Sequence, residues 1–293
     1  MRDHRNATPL ATLIATLAAV LAGCTAPSVV LPPSAARQAV ARIERNYERL
    51  TAPVTSKTAH VAIRFRDDDG RIQRIPSRPA RLIFQAPRCL YFDIRSDVGS
   101  IARIASNDER YWAWVDVPER RQLWWGTWSA LEAGKSRPMV VPPDLLLDAL
   151  LLRAPPMALP AGIPPRLEQS GATRRLVYQR IDEMGYPYDA RVIELDPRPP
   201  YLPTRMLDKN AEGEILMDAH IGRYRPLVDG EAYCPGHYQI EWPKADASMR
   251  LDVSEMRFRT SDLPFCEFPD RFNGAIESLD VPPISLGSGR LSQ

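Results

Sequence analysis

The chain is poor in the residues from which reactive sites are made. Of its 293 residues only four are cysteine and four histidine. No histidine stands in a His-x-x-x-His arrangement, and the one Cys-x-x-His pair, Cys234-Pro235-Gly236-His237, has no second pair of cysteines or histidines at the spacing that completes a zinc site. Neither a Gly-x-Ser-x-Gly elbow nor a glycine-rich phosphate loop occurs. An excess of one charge is missing too: 38 Lys and Arg stand against 36 Asp and Glu, a net charge of +2. Spread without a basic block, they provide no electrostatic footprint for nucleic acid. The sequence calls for no cofactor and no metal. His220, in Asp218-Ala219-His220-Ile221, lies opposite Ile221 on a strand and reads as a solvated side chain. Asp67-Asp68-Asp69-Gly70 lacks the later glutamate of an EF-hand loop and reads as an acidic hairpin turn.

What is present begins at the N-terminus. A basic start, Met1-Arg2-Asp3-His4-Arg5, leads into an uncharged run over residues 7–23 that is rich in Ala, Leu and Thr. This is the layout of an export signal. A membrane-spanning helix needs about 20 strongly apolar residues, whereas this run is shorter and interrupted by Pro9. It ends Leu21-Ala22-Gly23-Cys24, which resembles the lipobox of bacterial lipoproteins. The resemblance implies removal of residues 1–23 and acylation of Cys24, palmitate included. Two or three acyl chains hold a domain on a membrane essentially permanently, since each buried methylene adds about 0.8 kcal/mol. Thr25, rather than Asp, follows the cysteine, which by the same resemblance points to the outer membrane, facing the periplasm.

Residues 24–33 then read as a lipidated tether, 34–272 as a single domain and 273–293, rich in Ser, Gly and Pro, as a flexible tail. Residues 34–50 carry Ala36, Val40, Ile43, Tyr47 and Leu50 three and four apart, the spacing of an amphipathic helix that Ser34 can cap. Period-two alternation follows over 58–66 and 71–76 around Asp69-Gly70, then over 81–85, 89–95, 100–106, 110–116 and 121–125. Residues 145–152, almost all leucine after Pro142-Pro143-Asp144, predict a short buried helix. Alternation resumes over 174–182, 188–195, 202–208, 214–224, 238–242 and 249–259. In the last run the apolar phase slips by one residue after Val253, which a β-bulge would absorb. The expected fold is mainly β (α+β): a large curved antiparallel sheet with a few helices on its concave face.

Export to an oxidising compartment favours a disulfide, and three cysteines remain beyond Cys24. Cys234 and Cys266 flank the final pair of strands and are the expected bridge. Cys89, in Cys89-Leu90-Tyr91-Phe92, is then a buried free thiol.

The element order resembles the outer-membrane lipoprotein-sorting, LolA/LolB-like family. The stretches that carry the resemblance are Pro79-Ala80-Arg81-Leu82-Ile83-Phe84, the run from Ile101-Ala102-Arg103-Ile104 to Tyr111-Trp112-Ala113-Trp114-Val115, and Ile240-Glu241-Trp242-Pro243 through Leu263-Pro264-Phe265-Cys266-Glu267-Phe268-Pro269. It implies a half-open β-barrel plugged by helices, no catalytic residue, and an acyl chain or lipoprotein lipid as ligand. Trp112 and Trp114 share one face of their strand while Tyr111, Ala113 and Val115 share the other, so both faces of that strand are covered, one of them facing either core or a cavity. Trp124, Trp125 and Trp128 are candidates for membrane contact, the nearest this sequence comes to a protruding apolar loop. The leading expectation is a lipid-anchored, non-enzymatic envelope protein with an apolar cavity of several hundred Å³, the usual size of a small-molecule site. The alternatives are an accessory lipoprotein that binds another envelope protein, and an exported hydrolase. Oligomeric state is not legible.

Overall fold

A computed structural model of the chain describes residues 28–281 apart from 51, 67–68, 118–119, 138, 140, 160–161, 228–231, 260–265 and 270. The signal segment, Cys24, the first residues of the tether and residues 282–293 of the tail lie outside the described residues. The strands are β1 (Val29–Val30), β2 (Val54–Ser56), β3 (Ala59–Arg66), β4 (Ile72–Gln85), β5 (Cys89–Ser96), β6 (Gly99–Ser106), β7 (Arg110–Val117), β8 (Arg120–Thr127), β9 (Gly162–Ser170), β10 (Thr173–Ile181), β11 (Pro187–Leu195), β12 (Pro203–Lys209), β13 (Ile215–Gly222), β14 (Arg225–Pro226), β15 (Tyr233–Cys234), β16 (His237–Trp242), β17 (Ala247–Val253), β18 (Met256–Phe258) and β19 (Ala275–Ser278). The helices are α1 (Pro33–Glu48), α2 (Trp128–Glu132) and α3 (Pro143–Ala149).

Antiparallel pairing runs β1–β9–β10–β11–β12–β13–β16–β17–β3–β4–β5–β6–β7–β8, and β19 adds to β8 in parallel. Among the described residues no pairing joins β1 to β19, so the sheet stays open. One face is mainly apolar: Met206, Ala219, Ile240, Met249 and Ile63 follow one another across five strands in register. α1 lies against this face through Ala36, Ala39, Val40 and Ile43. α3 lies against it through Leu146 and Leu147, with Leu150, Leu151 and Leu152 following in the same core. The mainly β architecture with helices on one face is the one expected. α1 starts at Pro33, whose missing N–H suits a first turn, so Ser34 falls inside the helix and makes no cap.

Several local expectations change. β4 is a single strand from 72 to 85, because Pro76 and Ser77 sit together opposite Ala62 as a bulge on its β3 side. β9 goes unannounced by alternation and contains Pro164 and Pro165; it survives beside the two-residue edge strand β1, where lost donors cost least. The phase change after Val253 is not a bulge, for Val253↔Ala59 and Met256↔Ser56 keep one register across it. Val29–Val30 of the expected tether and Ala275–Ser278 of the expected tail are both edge strands. Those segments are short and polar or proline-rich, so their pairing depends on the open backbone edges of β9 and β8 rather than on any pattern of their own.

Cys89 pairs with Cys266, with Cα atoms 5.7 Å apart, and Cys234 is a buried free thiol. This corrects the expected Cys234–Cys266 bridge. Cys89 opens β5 on the same sheet face as Tyr91 and Asp93, and Cys266 meets it there. Cys234 instead points into the core beside Tyr224 and Tyr238, and burial pushes its thiol up to about 12.

Candidate functional site

The concave face is filled. Between the sheet and its helices the two voids are about 10 Å³ and about 30 Å³, room for a water or two at the roughly 10–15 Å³ a water requires. The first lies at the end of α1, among Asn46, Tyr47, Leu50, Leu150, Cys234 and Tyr238. The second lies on the other side of α3, among Leu90, Ile104, Tyr111, Val141, Leu146 and Leu147. Among the described residues neither of these voids reaches the expected several hundred Å³, and the reason is local. Residues 143–152 lie between these voids, and their leucines fill the core there. Prolines bound this segment at 142–143 and again at 155–156. Its attachment to the sheet is through side chains, with the Tyr238 hydroxyl also donating to the Leu150 carbonyl at 3.3 Å.

A buried ionic cluster pins the plug. Arg191 on β11 donates to Asp208 of β12 through Nε at 2.6 Å and Nη2 at 2.7 Å, and meets the Asp148 carboxylate of α3 at 2.6 Å. Arg153 closes on the other Asp148 oxygen and reaches the Asp144 carbonyl at 3.3 Å. Burial works against these charges, and opposite charge overrides it. Arg191 and Arg153 hold the Asp148 carboxyl below the usual carboxylate range, and Asp208 and Asp148 raise Arg191 further. Asp144, at the start of the same helix, is raised by burial, which outweighs the pull of Arg153. None of these residues was singled out by sequence. Arg191 and Asp208 stand at apolar-face positions of alternating strands, and a charged residue at such a position was the available signal.

The convex face of β5–β8 carries the aromatic residues. Trp112 is buried with Ala105 and Leu123 in a small separate cluster, and Phe268 covers it edge-on at 5.4 Å. Phe268 also meets Trp125 at 5.8 Å, and Phe272 meets Trp114 at 6.2 Å. Arg103 lies over Tyr91 and Trp114, and Arg110 over Trp125. The covering segment is a strap that starts at the Cys89–Cys266 bridge and ends in β19. Beyond β19 the Asp280 carboxylate accepts from the Thr127 amide at 3.0 Å and from its hydroxyl at 2.8 Å. Trp124 faces the other way, into the main core. Trp128 opens α2 with Thr127 as its cap, is 3% exposed, and donates its indole N–H to the Asn107 carbonyl at 2.7 Å. The stretch 124–128 is thus strand and helix rather than a protruding loop. Of the five candidate tryptophans, Trp112 is among the residues around the second void, while its ring packs against Phe268.

Catalytic geometry is sparse. His237 meets Asp252 at 2.7 Å and His220 meets Asp218 at 3.5 Å, both on the convex side, and among the described residues no hydroxyl or thiol bonds to either imidazole. Among the described residues no three His, Cys, Asp or Glu side chains converge on a metal position.

No protein-family model and no curated protein matches the chain. Solved structures similar to it include a domain assigned to outer membrane lipoprotein sorting from Vibrio parahaemolyticus, at 13% identity and a TM-score of 0.46, covering 78% of this chain and 95% of that one. A DUF1329 family protein from Desulfovibrio piger matches at 12% identity and TM-score 0.46, over 78% and 96% of the two chains. A LolA superfamily protein from Nitrosomonas europaea matches at 17% and 0.45, over 77% and 94%.

Proposed function

We propose that this is a non-enzymatic envelope protein, anchored to the outer membrane through acylated Cys24, that binds an acyl chain or lipoprotein lipid on the concave face of its open barrel. The plug carries the reading: a leucine-rich segment on proline-bounded loops, flanked by voids on both sides, occupies an apolar concavity it is not hydrogen-bonded into by strand pairing. An acyl chain of about 15 methylenes offers on the order of 10 kcal/mol of burial, comparable to what the displaced leucines would lose. Intact mass of the exported protein is expected to show a diacylated or triacylated N-terminal Cys24, and a fluorescent fatty acid is expected to bind the mature protein saturably at micromolar concentration. An unacylated N-terminus removes the anchor, and absence of saturable binding removes the acyl site.

The fully packed concavity favours one second reading, an accessory lipoprotein that binds another envelope protein through its rim or edges. That reading takes over if the acyl probe does not bind.

A further inference from the structure

A local group of exposed apolar side chains lies at one edge of the sheet. Ile163, near the start of β9, is the register partner of Gln179 on β10. Ile181 stands two residues further along β10 on the same face, so the two isoleucines are diagonal neighbours. Beyond Ile181 the chain turns into β11, and Met184 and Tyr186 on that turn are 78% and 65% exposed. Hydrogen bonds fix the turn. The Asp182 amide donates to the Tyr186 carbonyl at 2.9 Å, and the Asp182 carboxylate accepts from the Met184 and Tyr186 amides at 2.9 and 2.7 Å. Gly185, at a φ of 88°, takes the left-handed conformation that closes it. The one carboxylate at the base of the turn is thus used internally, while the apolar side chains are held outward. The approach to β9 has the same character: no polar side chain occurs between Arg153 and Arg166, and Pro156, Met157, Ile163 and Pro164 of that run are exposed.

The tether leaves from the same edge. β1 covers only the later part of β9, with Val29 and Val30 opposite Gln169 and Glu168, and among the described residues no strand lies outside residues 162–166. Val29 and Val30 are themselves more than half exposed. Cys24 stands five residues before Val29, a reach of at most about 18 Å. Along β9 the step from Glu168 to Ile163 is about 17 Å at 3.3 Å per residue. An anchor at Cys24 therefore holds this edge near the bilayer along its whole length.

We propose that the β9 edge, from Val29 and Val30 to the tip at 181–186, is a membrane-docking surface that lies on the bilayer holding acylated Cys24, with Met184 and Tyr186 at the boundary between headgroups and acyl chains. The inference rests on the Cys24 anchor of the reading above and not on an acyl ligand in the concavity. The chemistry of the edge suits lipid better than an added protein strand. Pro164 and Pro165 offer no N–H to such a strand, whereas a lipid surface requires none. Tyrosine settles at a membrane interface with its ring toward the chains and its hydroxyl toward water. Arg180 and Glu183, both exposed beside the tip, cancel in charge, so apolar contact holds the edge down.

The experiment uses the mature acylated protein, floated with vesicles of phosphatidylethanolamine and phosphatidylglycerol that carry a doxyl-labelled phospholipid as quencher. An environment-sensitive fluorophore is attached at Met184→Cys and, in a second sample, at Val98→Cys on the β5–β6 turn, where the side chain is 96% exposed. The native free thiol, Cys234, is buried and does not compete for the label. The fluorophore at 184 is expected to be quenched by the doxyl lipid and the one at 98 to stay bright. Ile181→Asp with Tyr186→Asp changes two exposed side chains and leaves the hydrogen bonds of the turn in place. It is expected to lower the ratio of docked to undocked protein at least about tenfold, the scale of burying one such side chain. No quenching at 184, equal quenching at both positions, or quenching at 184 that survives the double variant overturns the docking edge. So does emission at 184 that shifts to the blue without quenching, which assigns the patch to a protein surface. In each of these cases flotation shows the anchor standing. Protein that does not float with the vesicles overturns the anchor and the docking edge together.

Discussion

Two non-sheet segments cover the two faces of this sheet, and they are held by different chemistry. On the convex side of β5–β8 the strap of residues 266–280 is locked by the Cys89–Cys266 bond, by parallel pairing with β8 and by Phe268 and Phe272 over Trp112, Trp125 and Trp114. On the concave side the plug has no covalent tie and no strand pairing. It rests on leucine packing and one ionic cluster, with a void to either side. A covalently clamped cover preserves a surface, whereas a cover held by ion pairs and imperfect packing can exchange with something of like shape and charge. On the proposed function, the contrast predicts permanence for the aromatic face and exchange for the leucine face.

The strongest way to break this comparison is at Arg191. Arg191→Met leaves Asp148 and Asp208 as buried carboxylates that have lost their shared partner, and should lower stability by about 3–5 kcal/mol in urea unfolding. A loss under about 1 kcal/mol, the size of an exposed ion pair, would mean that the cluster is solvated and holds nothing. The strap is tested by Cys89→Ser, which opens the bridge between residues 177 apart in sequence. Losing a native disulfide typically costs about 2–5 kcal/mol, and here it should also shift tryptophan emission to the red as Phe268 leaves Trp112 and Trp125. Unchanged emission would show that the strap is held by packing alone.

Acid should separate the two covers. The Asp148 carboxyl is lowered in the folded protein, so the stability it contributes is complete above its ordinary value of 3.8 and is lost as pH falls below that toward the folded value. Below about pH 4, the ordinary aspartate range, the plug should loosen while the disulfide-held strap stays, so hydrogen exchange should quicken over residues 143–152 before residues 275–278. The reverse order would contradict the assignment. The smallest effect concerns Cys234. With its thiol pushed up to about 12 it should resist maleimide at pH 8 in the native protein and react only on unfolding, while non-reducing peptide mapping recovers Cys89 linked to Cys266.

Sequence alone determined the class of the fold and most of its strands, because alternation along β3, β5, β7, β10 and β17 reports a half-buried strand whatever its neighbours are. It likewise placed α1 within two residues at its C-terminal end and marked the 145–152 run as buried. It did not reveal which cysteine meets Cys266, that a polar C-terminal segment becomes β19, or that Trp112, Trp114 and Trp125 are covered by Phe268 and Phe272. Those outcomes depend on which distant segments the curvature of the sheet brings together, and that information is not local. The Asp148–Arg191–Asp208 cluster shows the same limit most clearly. Arg191 and Asp208 are marked only as charges at apolar-face positions, and with Asp148 they become a site only because α3 is laid across β11 and β12, where removal from water turns three ordinary charges into one interdependent group.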